Sequence, residues 1–129
     1  MANQVTNIGG VLSAVTATIA YTDTSAVTIA TLPANAQIVN IFIDVTTAFN
    51  AGTTNTVTVG KTGSAAAYVT ATSVGSAGRA SVATTGVYSA WADVGNSDVT
   101  YATVTYSQTG TAASAGAARV TIVYKYFAP

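Results

Sequence analysis

The chain has 129 residues, of which 50% are hydrophobic and only 6% charged, and its four basic and four acidic groups leave no formal net charge. One core suffices for that length, and with charged residues far below the roughly one quarter of an ordinary soluble domain the polar surface must come from Thr, Ser, Asn and Gly. The absence of His and Cys removes the commonest general base, the thiol nucleophile and most transition-metal ligands, while Lys61, Arg79, Arg119 and Lys125 are too scattered to build a nucleic-acid groove.

Met1 to Gly10 holds no alternating run and ends in Gly9-Gly10, so it reads as an N-terminal arm (1–10) ahead of a single domain (11–129). In an assembly such an arm lies across a neighbour; alone it is a frayed tail. Val11 to Ala20 is apolar, but no Lys or Arg precedes Lys61 and Thr16 and Thr18 interrupt the run, so neither a cleaved signal peptide nor a membrane span is expected. Val15, Ala17, Ile19 and Tyr21 alternate with polar or small residues, as do Val27 and Ile29 around Thr28. These two strands flank Thr22-Asp23-Thr24-Ser25 and read as a hairpin. Leu32-Pro33-Ala34-Asn35 turns the chain, because proline fixes its own φ and holds Leu32 extended.

Gln37 to Val45 carries the strongest period of two. Val39, Ile41, Ile43 and Val45 are expected on the core face, with Ile38, Asn40, Phe42 and Asp44 on the other. Thr46 to Thr54 has no alternation and contains Asn50 and Gly52, so it is a loop. Asn55 to Val59 resumes the strand pattern, and Gly60 to Ser64 turns it. Tyr68 to Val74 and Arg79 to Ala83 read as weaker strands, with Ala65-Ala66-Ala67 the only place where a helical turn competes. Val87 to Ala92 reads as extended and aromatic-rich, and Gly95-Asn96-Ser97-Asp98 as a tight turn into a strand at Val99 to Tyr106. Ser107 to Gly116 is a small polar loop. In the last strand, Ala117 to Phe127, residues Ala118, Val120, Ile122, Tyr124 and Tyr126 share one face.

About eight or nine short strands without a helical crossover predict an all-β antiparallel two-sheet sandwich, jelly-roll-like, with an up-and-down barrel as the alternative. Catalysis finds little material. The sequence has no Glu, and its four Asp favour structural roles: Asp23 and Asp98 in turns accepting backbone N–H groups, Asp93 just before Gly95. Asp44 is the one acid inside a strong strand, and pairing with Arg79 or Arg119 outweighs calcium binding, which needs several carboxylates. The glycines match no phosphate-binding motif. No cofactor and no metal is expected. The candidates for an interface or ligand surface are aromatic: Phe42, Phe49, Tyr88, Trp91 and Tyr101. Such side chains stack on sugars, but they are equally core and interface anchors, and packing is the favoured reading.

Leu32 to Ile38, running through Val45-Thr46-Thr47-Ala48-Phe49-Asn50-Ala51-Gly52-Thr53-Thr54-Asn55 to Val57-Thr58-Val59-Gly60, resembles small virion proteins of tailed bacteriophages. So does Tyr106 to Val120 with its strand. The resemblance implies a β-sandwich virion component, with capsid decoration (cement) proteins the best match in size and head or tail fibre domains next. It further implies a homotrimer on the outer surface of the phage head, made in the host cytoplasm and bound to the major capsid protein or another virion protein. No catalytic residue comes with it. The rival expectation is a fibre or receptor-binding module that reads host-surface glycans through Tyr88, Trp91 and nearby loops.

Overall fold

The structure, a computed structural model, describes residues 10–92, 94 and 99–127. Its strands are β1 (Gly10–Ala20), β2 (Val27–Leu32), β3 (Gln37–Thr47), β4 (Thr54–Lys61), β5 (Ser64–Ser73), β6 (Gly78–Ala80), β7 (Thr100–Thr109) and β8 (Ala117–Phe127), with one helical turn, α1 (Tyr88–Trp91). Two four-stranded sheets form, ordered β1-β8-β3-β6 and β2-β7-β4-β5, and every pairing is antiparallel. β1 pairs with β8, β2 with β7, β3 with β6 and β4 with β5, as though one long hairpin had been wrapped around a core. The fold is therefore the expected all-β antiparallel two-sheet sandwich rather than a barrel.

The core lies between the sheets. Ile19, Ile41, Ile43, Val120 and Ile122 from the first sheet meet Leu32, Val57, Val59, Val69, Ala102 and Val104 from the second. β8 keeps the predicted alternation throughout, with Ala118, Val120 and Ile122 buried and Arg119 and Lys125 exposed. β4 and β5 form the tight β-hairpin, and Gly60 is required there because a Cβ would stand 2.1 Å from the Ser64 carbonyl oxygen. Ala65-Ala66-Ala67 belongs to β5, not to a helix.

Four expectations need correction. β1 and β2 are not a hairpin: the connection crosses from one sheet to the other, and each strand turns its apolar residues to the shared core from opposite sides. In β3 the pairing with β8 slips between Ile38 and Asn40, a bulge that buries Ile38 and leaves Val39 47% exposed. An extra residue reverses the parity of everything before it. Asn40 Oδ1 accepts the Ile41 N–H at 2.8 Å beside this bulge. β6 is shorter than Arg79 to Ala83, ending at Ala80. Finally, Val87 to Ala92 is not extended. Val87 donates to the Tyr68 carbonyl at 2.8 Å, and the chain then coils into α1, which carries Trp91 inward.

α1 packs against both β5 and β3 and so closes that side of the sandwich. Asp23 behaves as expected, its carboxylate accepting the Ala20 N–H at 2.7 Å. The arm up to Gly9, Asp93 and the predicted turn Gly95 to Asp98 lie outside the described residues, and Gly10 opens β1.

Candidate functional site

The most highly constructed surface is the end of the sandwich where the loop after β3 meets the loop between β7 and β8. Asn50 bridges them: its Oδ1 accepts the N–H groups of Ser114 (2.8 Å) and Ala115 (3.0 Å), and its Nδ2 donates to Ser114 Oγ at 3.0 Å. Backbone bonds from Gly52 to the Thr111 carbonyl (2.8 Å) and from Thr53 to the Thr109 carbonyl (3.0 Å) lock the same two segments. Asn55 Oδ1 accepts both the Ala51 N–H (2.9 Å) and the Tyr106 hydroxyl (2.7 Å), while Gln108 Oε1 accepts the Ala113 N–H at 2.8 Å. Beneath them Phe49 is 1% exposed, its ring centroid 4.6 Å from that of Tyr106. Gly116 (φ 150°) covers the ring, and a Cβ on it would lie 2.4 Å from Phe49 Cδ2. The two sequence stretches that carry the virion-protein resemblance are thus brought together here as one rigid end.

A second surface is the outer face of the β1 sheet. Asp44 sits between Arg79 on β6 and Arg119 on β8, directly in register with both. Arg79 takes it with both ends of its fork, Nε at 2.7 Å and Nη2 at 3.2 Å, and lies over the Phe42 ring at 4.3 Å. The Arg79 hydrogen bond, more than the charge of Arg79 and Arg119, holds the Asp44 carboxyl below its ordinary value. Lys125 lies on the same face as Arg119, so three of the four basic residues share one sheet. Counting charges along short segments missed this, because the three come from two strands distant in sequence; the outward parity of β8 was the available signal.

The structure does not bring the five aromatic candidates to one place. Phe49 and Trp91 are buried, and the Trp91 indole N–H is spent on the Tyr68 carbonyl at 2.8 Å. Tyr88 is exposed, edge-on to Trp91 at 4.6 Å between centroids, with its hydroxyl donating to the Val82 carbonyl at 3.1 Å. Tyr101 is exposed on β7, in register with Thr31, and Phe42 is half-buried under Arg79 on the other sheet. A glycan platform of Tyr88 and Trp91 therefore loses its larger ring to the core. Phe49 likewise belongs to packing.

Little else carries chemistry. Among the described residues no three His, Cys, Asp or Glu side chains gather as a metal site would require. An open groove of about 430 Å³ on the β2 sheet is lined by Thr28, Thr103 and the Lys61–Ser64 turn, with Lys61 its one ionisable group. Tyr68 is 1% exposed and its hydroxyl has no hydrogen-bond partner among the described residues, and burial raises its pKa.

No protein-family model matches the sequence, and no curated protein does. The fold, in contrast, is similar to a solved chain of the Cyanophage Pam1 capsid asymmetric unit, with a TM-score of 0.65 at 19% identity over 98% of this chain and 92% of that one. At that identity the likeness is one of fold, end to end.

Proposed function

We propose that this chain is a non-catalytic virion structural protein that decorates and cements the outer surface of a phage head as a symmetric oligomer, a trimer. The observation that carries the reading is the fold shared across nearly the full length of both chains with a component of a phage capsid asymmetric unit. The surfaces agree with an adhesive role. A rigid loop end fastened by Asn50, Asn55 and Gln108 needs little ordering when it docks, and that lowers the entropic cost of each contact. Repeated contacts from symmetric copies then sum into firm attachment, with the major capsid protein as partner and no cofactor needed.

Two measurements test this. Sedimentation of the purified protein is expected to give a trimer, and a monomer at micromolar concentration speaks against the assignment. Quantitative mass spectrometry of purified particles is expected to find the protein in capsid-like abundance on the outside of the shell; a few copies per particle, or none, overturns decoration.

A further inference from the structure

The groove on the β2 sheet is made by the β4–β5 hairpin folding over its own face. Gly60 has no side chain, and the Ser64 carbonyl oxygen and Ala65 occupy the space where one would stand. The start of β5 therefore lies on the outer side of β4 and reaches across it to β7. Thr103 on β7 is in register with Gly60 on one side and with Thr28 of β2 on the other. Its neighbours Ala102 and Val104 are buried in the core, so Thr103 points outward. An outward threonine on a sheet face is ordinarily exposed. Thr103 is only 5% exposed, because it forms the floor of a groove of about 430 Å³ walled by Thr28 and by the turn at Thr62 to Ser64.

The polar groups of this groove are uncommitted. Two other in-register threonine pairs close on each other, Thr16 with Thr121 at 2.9 Å and Thr54 with Thr109 at 2.6 Å. Thr28 and Thr103 do not, and the hydroxyls of Thr28, Thr62, Ser64 and Thr103 make no hydrogen bond among the described residues. Leaving a buried hydroxyl unpaired is costly, and a ligand atom over Thr103 removes that cost. Lys61 at the same groove forms no ion pair among the described residues, and no carboxylate lines it. Tyr101 stands beside it: the side chain is 50% exposed, shares the outward side of β7 with Thr103, and its carbonyl accepts the Thr62 N–H at 3.2 Å.

We infer that this groove is a binding site for a sugar acid, a pyranose ring that carries one carboxylate. Each part of the ligand answers to a part of the groove. Hydroxyls that both donate and accept suit a ring of hydroxyl groups. A single lysine without a counter-ion suits one negative charge, whereas a phosphate calls for further cations or a cradle of backbone N–H groups. The methyl groups of Ala26 and Ala65 and the ring of Tyr101 offer apolar surface to the C–H faces of the sugar. The groove is also the size of a small-ligand cleft. It shares no residue with the Tyr88 and Trp91 pair, and the inference does not depend on the decoration reading.

The test titrates the isotope-labelled full chain with D-glucuronic acid, its methyl β-glycoside, D-glucose and acetate, read by amide NMR. Glucuronic acid is expected to bind with a dissociation constant of about 1 mM or lower, shifting the amides of Thr62, Ser64 and Thr103 and leaving Asn50 and Thr111 in place. Glucose lacks the carboxylate and acetate lacks the ring, so each is expected to bind at least ~10-fold more weakly. Thr103→Val keeps the shape and deletes the floor hydroxyl; it is expected to fold and to weaken glucuronic acid at least ~10-fold. Lys61 is exposed, so Lys61→Met keeps the fold and is expected to erase the preference over glucose. Tighter binding of the glycoside than of the free acid supports a site for a polysaccharide, and the reverse supports one for a free sugar acid. No amide shift at ~10 mM glucuronic acid overturns the site. So does acetate binding as tightly as the sugar acid, a folded Thr103→Val that binds like the wild type, or an undiminished preference in Lys61→Met. None of these outcomes touches decoration, which the copy number in particles decides.

Discussion

Replacing Phe49 by Ala separates a core role from a docking role. The ring is 1% exposed, wedged between Tyr106 and Gly116, so its removal leaves a cavity at the loop end. Buried Phe to Ala changes cost about 3–5 kcal/mol, and because a loop end relaxes more than a sheet centre we expect about 3 kcal/mol here. That is a large share of the roughly 5–15 kcal/mol that holds a domain together. Equilibrium urea unfolding followed by Trp91, the single tryptophan, measures it directly, with a constant slope confirming that the compactness of neither state has changed. A double-mutant cycle sharpens the test. Gly116→Ala alone drives a Cβ to 2.4 Å from Phe49 Cδ2, whereas in the Phe49→Ala protein that Cβ enters empty space. The two changes should therefore be less harmful together than their sum by about 1–3 kcal/mol, leaving only the backbone strain at φ 150°. A loss below about 1 kcal/mol for Phe49→Ala, or simple additivity of the pair, would refute the packing described here.

The β3 bulge predicts opposite outcomes at neighbouring residues: Ile38→Ala is expected to cost about 2–5 kcal/mol and Val39→Thr to stay within about 0.5 kcal/mol, by the same unfolding assay. The larger loss at Val39 instead of Ile38 would mean the strand is unbulged. Burial raises the pKa of Tyr68 and Tyr106, so the native state favours the neutral phenols; their contribution to stability is complete below the ordinary value of 10.0 and is lost as pH rises through the higher native values. The urea midpoint should fall in the alkaline range. Tyr68→Phe should remove part of that fall and, by deleting a buried hydroxyl that has no partner, leave neutral-pH stability unchanged or raised by about 1 kcal/mol; a loss of stability at neutral pH would argue that the hydroxyl is bonded.

Residue types and their spacing were enough for the strands and the fold class. β8 shows why: Ala118, Val120 and Ile122 against Arg119, Thr121 and Val123 is a local pattern, and a period of two has one physical solution when one face must leave water. The Asp44 pairing was legible for the same reason, since a lone acid inside a strand calls for a cation on a neighbouring one. The proposal of an adhesive role also starts from composition, because a chain without His, Cys or Glu has little with which to move protons.

Partner choice was decided only in three dimensions. Alternation tells a strand which face is apolar but not which strand lies beside it, so β1 and β2 looked like a hairpin although they belong to different sheets. The bulge before Asn40 was invisible because one extra residue is a property of the pair, β3 with β8, and not of β3 alone. Trp91 turned inward because residues 85–87 dock on β5 and offer it the Tyr68 carbonyl, a contact set by neighbours distant in the chain. The outer edge of β1, unpaired among the described residues, is likewise a property of the assembled sheets, since a row of free amides is defined only once every other strand has found its partner.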